Sequence, residues 1–100
     1  MIKGITEKEE KIIKEILKKY PYEFFYYGSR VKGDYTRSSD LDILIKGDDE
    51  IPFSVIENLK TEFNESLIPY VVNFSDYNQI TPEFYKLIEK DLVRIIIFKQ

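Results

Sequence analysis

The sequence contains no cysteine and no histidine among its 100 residues. Without cysteine the chain forms no disulfide and holds no metal through thiolates. Without histidine it has no imidazole to act as a general base, a zinc ligand or a pH sensor near neutrality. Any bound metal is therefore held by oxygen atoms, and oxygen ligands favour magnesium, manganese or calcium.

The chain also lacks a strong excess of charge and a long apolar run. Its 15 basic and 18 acidic residues give a formal net charge of −3, which provides no general attraction to nucleic acid or anionic lipid. The first residues, "MIKGITEKEE", are polar rather than typical of a signal peptide. No apolar segment approaches the roughly 20 residues that span a bilayer. We therefore expect a cytoplasmic protein with no membrane contact and no direct nucleic-acid binding.

What the sequence does contain is enough apolar material for one domain over residues 1–100. Hydrophobic residues make up 43% of the chain and aromatic residues 15%, so a core can form. Burial is limited at this length, which leaves room for a partner surface to add stability. The composition is compatible with a homo-oligomer and with a hetero-oligomer that includes a partner protein, and it does not decide the oligomeric state.

Periodicity and turn residues predict helices that alternate with strands. Helices are predicted at 6–19, 52–67 and 82–90, and strands at 23–27, 40–46, 70–75 and 92–98. The last run also fits an apolar continuation of the preceding helix, although its β-branched residues favour a strand. Residues 29–39 are predicted to form a polar connection. This order predicts an α/β (α+β) fold, a small mixed sheet with helices packed on one face.

Two aspartates, Asp40 and Asp42, stand at the start of the predicted strand "DLDILIK". Residues i and i+2 of a strand project from the same face, so their carboxylates lie close together and repel. A magnesium ion bound to both, and to substrate phosphates, removes that repulsion. Solvent exposure at a strand end is the ordinary alternative for such acids. It fits Asp42 poorly, because that residue is enclosed by Leu41 and Ile43 and needs a partner there.

A glycine–serine pair, Gly28 and Ser29, follows the aromatic strand "EFFYY". Glycine adopts backbone angles that are closed to other residues, and it lets a ligand approach the main chain. The amides that follow it and the Ser29 hydroxyl are donors suited to phosphate oxygens. Such a turn alone is common, but a strand, Gly-Ser, a short gap, Asp-x-Asp and a second apolar strand together indicate a phosphate and metal site.

The segment "YGSRVKGDYTRSSDLDILI" resembles the signature of the polymerase-beta-like nucleotidyltransferase superfamily. Within it, the chain is similar to the minimal nucleotidyltransferases (MNT proteins), whose pattern is Gly-Ser-Arg-x-x-Gly followed by Ser-Asp-x-Asp. The matching positions are Gly28, Ser29, Arg30, Gly33, Ser39, Asp40 and Asp42. Similarity continues in the next helix, in the Ile-Pro-Tyr entry to the third strand at 68–70 and in the Thr-Pro-Glu-Phe helix start.

That resemblance implies one minimal nucleotidyltransferase domain over residues 1–100, with a small mixed sheet. It implies transfer of a nucleotidyl group (AMP) from ATP to a hydroxyl, with Mg²⁺ as cofactor. The acceptor it implies is a tyrosine of a HEPN toxin, to which the MNT protein is the antitoxin. The implied nucleotide-binding residues are Gly28, Ser29, Arg30 and Ser39, with Arg30 also supporting the turn, and the implied metal ligands are Asp40 and Asp42.

The family pattern places a third carboxylate on the next strand, and in "IPYVVNFSD" this chain has Asn73 there. We include Asn73 with Asp40 and Asp42 in the catalytic set, although an amide offers only a neutral oxygen and cannot act as a base. Asp76 lies three residues further on, an odd separation that places it on the opposite face unless the strand bends.

Three hypotheses follow from these residues. The chain is a nucleotidyltransferase with a two-carboxylate site, or a catalytically degenerate MNT antitoxin that neutralises its partner by binding and retains some affinity for nucleotide and magnesium. The third hypothesis is an unrelated domain in which the motif is a coincidence. The charge at position 73 separates the first two, because only a carboxylate completes the usual metal site.

Overall fold

The computed structural model of the chain describes residues 2–98, which form a four-stranded sheet and the helices around it. The elements, in chain order, are α1 (Glu7–Leu17), β1 (Glu23–Tyr27), α2 (Ser29–Lys32), β2 (Leu41–Lys46), α3 (Phe53–Asn64), β3 (Val72–Asp76), α4 (Pro82–Ile88), a 3₁₀ turn (Glu89–Asp91) and β4 (Val93–Arg94).

The sheet is mixed, with the strand order β3-β2-β1-β4. β1 pairs with β2 and with β4 in antiparallel orientation, whereas β2 and β3 are parallel. The register aligns Tyr27 with Asp42, and Asp42 with Asn73, in one row across three strands. The predicted mixed sheet and α+β class are confirmed, and this row is where the site residues meet.

Helices α1 and α3 cover one face of the sheet. Thr6 caps α1 in a reciprocal capping box with Glu9, in which each side chain accepts a hydrogen bond from the amide of the other residue. The apolar stripe of α1, which includes Ile13 and Leu17, is buried against Phe24 and Ile43 of the central strands. Burial of such a stripe is what holds a helix of this length in place. None of the helices within residues 2–98 has the length and apolar character needed to cross a membrane.

The short helix α4 lies against the other face, which differs from the prediction that the helices pack on one face. Ile88 packs with Tyr27 and Leu44. The ring of Phe84 meets Tyr27 edge to face, with ring centroids 6.1 Å apart. The reason is that β1 and β2 carry large apolar side chains on both faces, so that the second face must also be covered.

Three further segments differ from their predictions. The connection predicted at 29–39 begins with the helix α2, in which Val31 and Lys32 donate their amide hydrogens to the carbonyl of Gly28. The strand predicted at 92–98 is reduced to Val93–Arg94, followed by a hydrogen bond from the Ile95 amide to Phe24 O. The helix predicted at 82–90 ends at Ile88, and Glu89–Asp91 form a 3₁₀ turn instead.

Candidate nucleotide and metal site

The turn between β1 and α2 depends on Gly28, whose backbone angles are φ +85° and ψ −160°. This region is open almost only to glycine. The turn leads directly into α2, so Ser29 stands at the start of that helix. The Ser29 hydroxyl makes no hydrogen bond within residues 2–98 and is free to contact a ligand.

Asp42 lies directly against Gly28. A β-carbon built on Gly28 would be 2.3 Å from Asp42 Oδ2, so only glycine allows the carboxylate to occupy this place. Asp42 is half-buried between the fully buried Leu41 and Ile43. Burial raises the pKa of Asp42, and the nearby charge of Asp40 raises it further, while a hydrogen bond from Asn73 acts in the opposite direction.

Asn73 bridges the two aspartates from the neighbouring parallel strand. Its Nδ2 donates to Asp40 Oδ2 at 2.9 Å and to Asp42 Oδ1 at 3.3 Å. Asp40 and Asn73 are exposed, so the bridge faces solvent. The three residues predicted as the catalytic set are thus brought together beside the predicted Gly28 turn. A half-turn of the amide would direct its carbonyl oxygen, instead of Nδ2, at the same point.

These side chains suit a magnesium ion. Two adjacent carboxylates and one amide oxygen are hard oxygen ligands of the kind that Mg²⁺ prefers, and it keeps further positions for water and phosphate. Within the described residues no group of three or more histidine, cysteine, aspartate or glutamate side chains has a metal-binding arrangement. The charge offered to a metal here therefore comes from Asp40 and Asp42 alone.

Asp76 is not part of this site. β3 continues without a bend through Asp76, which pairs with Ile45. Its buried carboxylate accepts hydrogen bonds from the amides of Ile51 at 2.6 Å and Asn78 at 2.9 Å. The carboxylate therefore joins the start of α3 to the end of β3, on the face that the odd separation from Asn73 predicts.

Arg30 and Ser39, two of the residues predicted to bind nucleotide, are engaged with the protein. The Arg30 guanidinium donates to backbone carbonyl oxygens, and Ser39 Oγ accepts from the Thr36 amide at 2.8 Å. The carbonyl partners of Arg30 lie at Gly4 and in residues 36–39, so its guanidinium donates to these segments and not to the Gly28 turn. Ser39 directly precedes Asp40, so its hydrogen bonds fix the backbone that leads to Asp40.

Sequence reasoning missed a hydroxyl pair beside the site. Tyr27 Oη and Ser75 Oγ are 2.9 Å apart, on the same face as Asp42 and Asn73. Burial raises the pKa of Tyr27, so this phenol stays neutral. The available signal was the i+2 spacing of Ser75 from Asn73, which places both side chains on one face of the strand.

Comparison with known proteins identifies the family. Residues 10–99 match the family model described as "Polymerase beta, Nucleotidyltransferase". The chain is 34% identical over 93 residues to the "Probable protein adenylyltransferase MntA" of Haemophilus influenzae, a match that covers 91% of this chain and 82% of that protein. Its fold is similar, with a TM-score of 0.73, to that in a "Crystal structure of the toxin-antitoxin with AMP-PNP"; the match covers 91% of this chain and 75% of that one at 18% identity. The chain therefore belongs to the polymerase beta nucleotidyltransferase family, within which it is of the MNT type.

Proposed function

We propose that this protein transfers AMP from ATP to a hydroxyl with the help of Mg²⁺, and that the acceptor is a tyrosine of a HEPN toxin for which it is the antitoxin. The observation that carries the proposal is the meeting of Asp40, Asp42 and Asn73 beside the Gly28 turn. The relative named as a probable protein adenylyltransferase supports a protein acceptor, and the toxin–antitoxin likeness in fold agrees with it.

Each residue of the site has a part in this proposal. Asp40 and Asp42 hold the metal, and Asn73 adds its amide oxygen. When bound, Mg²⁺ would supply neutralisation of the phosphate charge. Gly28 admits the polyphosphate close to the main chain, and Ser29 donates to a phosphate oxygen. These contacts supply positioning and charge neutralisation, which are most of what phosphoryl chemistry requires from a protein.

In the proposed reaction, the acceptor oxygen forms a bond to the α-phosphorus of ATP. The bond between that phosphorus and the oxygen leading to the β-phosphate breaks, and pyrophosphate leaves with its electron pair. The acceptor's proton goes to a carboxylate oxygen of Asp40, the exposed member of the aspartate pair, and then to solvent. Asn73 takes no proton, because its amide is not basic.

A second function, neutralisation of the toxin by binding alone, is favoured by Asn73 itself. The amide already satisfies both carboxylates without a metal, and it adds no negative charge to hold one. In that case the site is a degenerate form of an enzyme centre, and the surface that meets the partner carries the function.

The test uses the purified chain, α-labelled ATP, MgCl₂ and the product of the neighbouring gene. We expect label on that partner with the native chain and none with Asp42→Asn. Asn73→Asp is the matched variant, because it restores the third carboxylate at the same position. A stable complex without label, together with strong labelling by Asn73→Asp, would establish the binding function. Absence of both label and complex with every variant would refute both functions.

A further inference from the structure

Arg30 carries a buried charge that no carboxylate within residues 2–98 neutralises. The residue is 4% exposed, and none of the ion pairs among the described residues includes it. A buried cation without an acidic partner is costly unless other groups solvate it. Its surroundings therefore show what the charge is used for.

Four carbonyl oxygens solvate the guanidinium, and they come from two separate segments. Nη1 donates to Gly4 O at 2.6 Å, in the segment that precedes α1. Nε donates to Ser39 O at 3.0 Å, and Nη2 donates to Arg37 O at 3.0 Å and to Thr36 O at 3.4 Å. One side chain thus ties residues 2–6 to residues 36–39, the loop that ends at Asp40.

Two aromatic rings complete the enclosure of Arg30. The centre of its guanidinium lies 3.8 Å from the ring centroid of Tyr70 and 5.3 Å from that of Tyr35, distances at which a cation is attracted to a ring face. Tyr70 donates its hydroxyl to Glu9 at 3.0 Å, and Tyr35 donates its hydroxyl to Lys3 O at 3.0 Å. The first turn of α1 and the segment before it are therefore joined to the same group.

Gly4 fits this arrangement as tightly as Gly28 fits Asp42. Its amide donates to Arg30 O at 3.0 Å, so the two residues exchange hydrogen bonds. A β-carbon built on Gly4 would lie 2.3 Å from Arg30 Cβ and 2.6 Å from Arg30 Cα. Backbone atoms of α2 cannot move aside as the end of a flexible side chain can, so any larger residue at position 4 must displace Arg30 or the N-terminal segment.

From these contacts we infer that Arg30 is a positioning residue for the metal site, and that residues 2–6 form part of the scaffold that holds Asp40 in place. The guanidinium fixes the 36–39 loop, and the loop fixes Asp40 against Asn73. This inference rests on the proposed role of Asp40 as a metal ligand. It separates the arginine of the Gly-Ser-Arg motif from phosphate binding, because its donors are directed at the protein.

The test compares four variants in the full chain. Arg30→Lys keeps the charge but replaces the fork of donors by a single ammonium group, which cannot reach both segments. Gly4→Ala leaves the guanidinium intact and displaces its partner segment. The matched controls are Lys32→Ala, which removes an exposed cation two residues from Arg30, and Lys3→Ala, which changes the exposed side chain next to Gly4. Circular dichroism establishes that each variant is folded.

The first readout is NMR of the metal-free protein, where the Asn73 side-chain NH₂ signals report its contact with Asp40. We expect Arg30→Lys and Gly4→Ala to shift these signals and those of the 36–39 amides, while both controls keep the native positions. The second readout is titration with MnCl₂ alone, followed by paramagnetic broadening of the Asp40 and Asp42 amides. We expect both test variants to weaken Mn²⁺ binding about tenfold or more, the scale of lost support to metal ligands.

Native Asn73 signals in both folded test variants would overturn the inference, whatever the metal result. Shifted signals with unchanged Mn²⁺ affinity would also overturn it, because Arg30 would then be structural only. If Arg30→Lys does not fold, the Asn73 signals and the Mn²⁺ affinity of Gly4→Ala alone test the inference. Absence of Mn²⁺ binding by the native protein would instead refute the proposed metal site, and the NMR readout would still decide whether Arg30 positions Asp40.

Discussion

Gly28 and Asp42 are complementary in shape, since the Asp42 carboxylate occupies the space where a side chain at position 28 would begin. The distance of 2.3 Å from a β-carbon at position 28 to Asp42 Oδ2 leaves no room for even a methyl group. The glycine therefore sets the position of the Asp42 carboxylate in the proposed metal site, in addition to making the turn.

The first prediction is that Gly28→Ala abolishes metal binding. Its positive φ costs the alanine variant about 1–3 kcal/mol, and its methyl group displaces Asp42. Gly33→Ala is the matched control, because Gly33 has φ +99° but no atom within 4 Å of an added β-carbon. It should lose about 1–2 kcal/mol of stability and still bind Mn²⁺. Calorimetric titration measures the Mn²⁺ affinity, and thermal unfolding measures the stability. Equal metal affinity in the two variants would contradict the prediction.

The second prediction is that Asp42→Asn stabilises the metal-free protein while it destroys metal binding. Since the folded-state pKa of Asp42 is raised, the folded protein binds more protons than the unfolded chain in the window between the two pKa values. Its stability therefore falls as pH rises through that window. Asparagine removes this contribution, so the native and variant unfolding midpoints, measured with a chelator, should diverge in the variant's favour with rising pH. Convergence of the two midpoints would contradict it.

The third prediction is that Asp76→Asn lowers stability but leaves metal affinity unchanged. Its carboxylate accepts buried hydrogen bonds from Ile51 and Asn78, and weakening charge-assisted bonds of this kind costs about 1.5–3 kcal/mol. Urea unfolding measures the loss. Mn²⁺ titration of the folded variant is the control, and a tenfold loss of affinity there would place Asp76 in the metal site after all.

The fourth prediction is that replacing two neighbouring tyrosines by phenylalanine changes the free energy of unfolding in opposite directions. The Tyr26 hydroxyl is buried without a hydrogen-bond partner among residues 2–98, so Tyr26→Phe should raise the free energy of unfolding by about 1 kcal/mol. The Tyr27 hydroxyl bonds to Ser75, so Tyr27→Phe should lower it by about 1 kcal/mol. Denaturant unfolding of both variants provides the comparison, and a loss in Tyr26→Phe would contradict the first half.

The sequence predicted β1, β2 and β3 because alternation and turn residues are local signals, whereas the place of Asn73 beside Asp40 and Asp42 was predicted from the family resemblance. Alternation in β2 fixes which side chains share a face, and parallel pairing then brings Asn73 beside them. The role of Arg30 was only partly visible, because its partners Gly4 and Tyr70 are distant in the chain. The placement of α4 was missed because the sequence does not show which helix covers the second apolar face, that of Tyr27 and Leu44.

For the proposed transfer, the place of β3 in the sheet bears on the size of the acceptor. β3 is the outermost strand, and Asn73 on it is exposed together with Asp40. A reaction at the rim of a sheet, rather than at the bottom of a cleft, does not require a long substrate side chain that reaches into the protein. A tyrosine on the surface of a folded macromolecule reaches such a rim as readily as a free small molecule does.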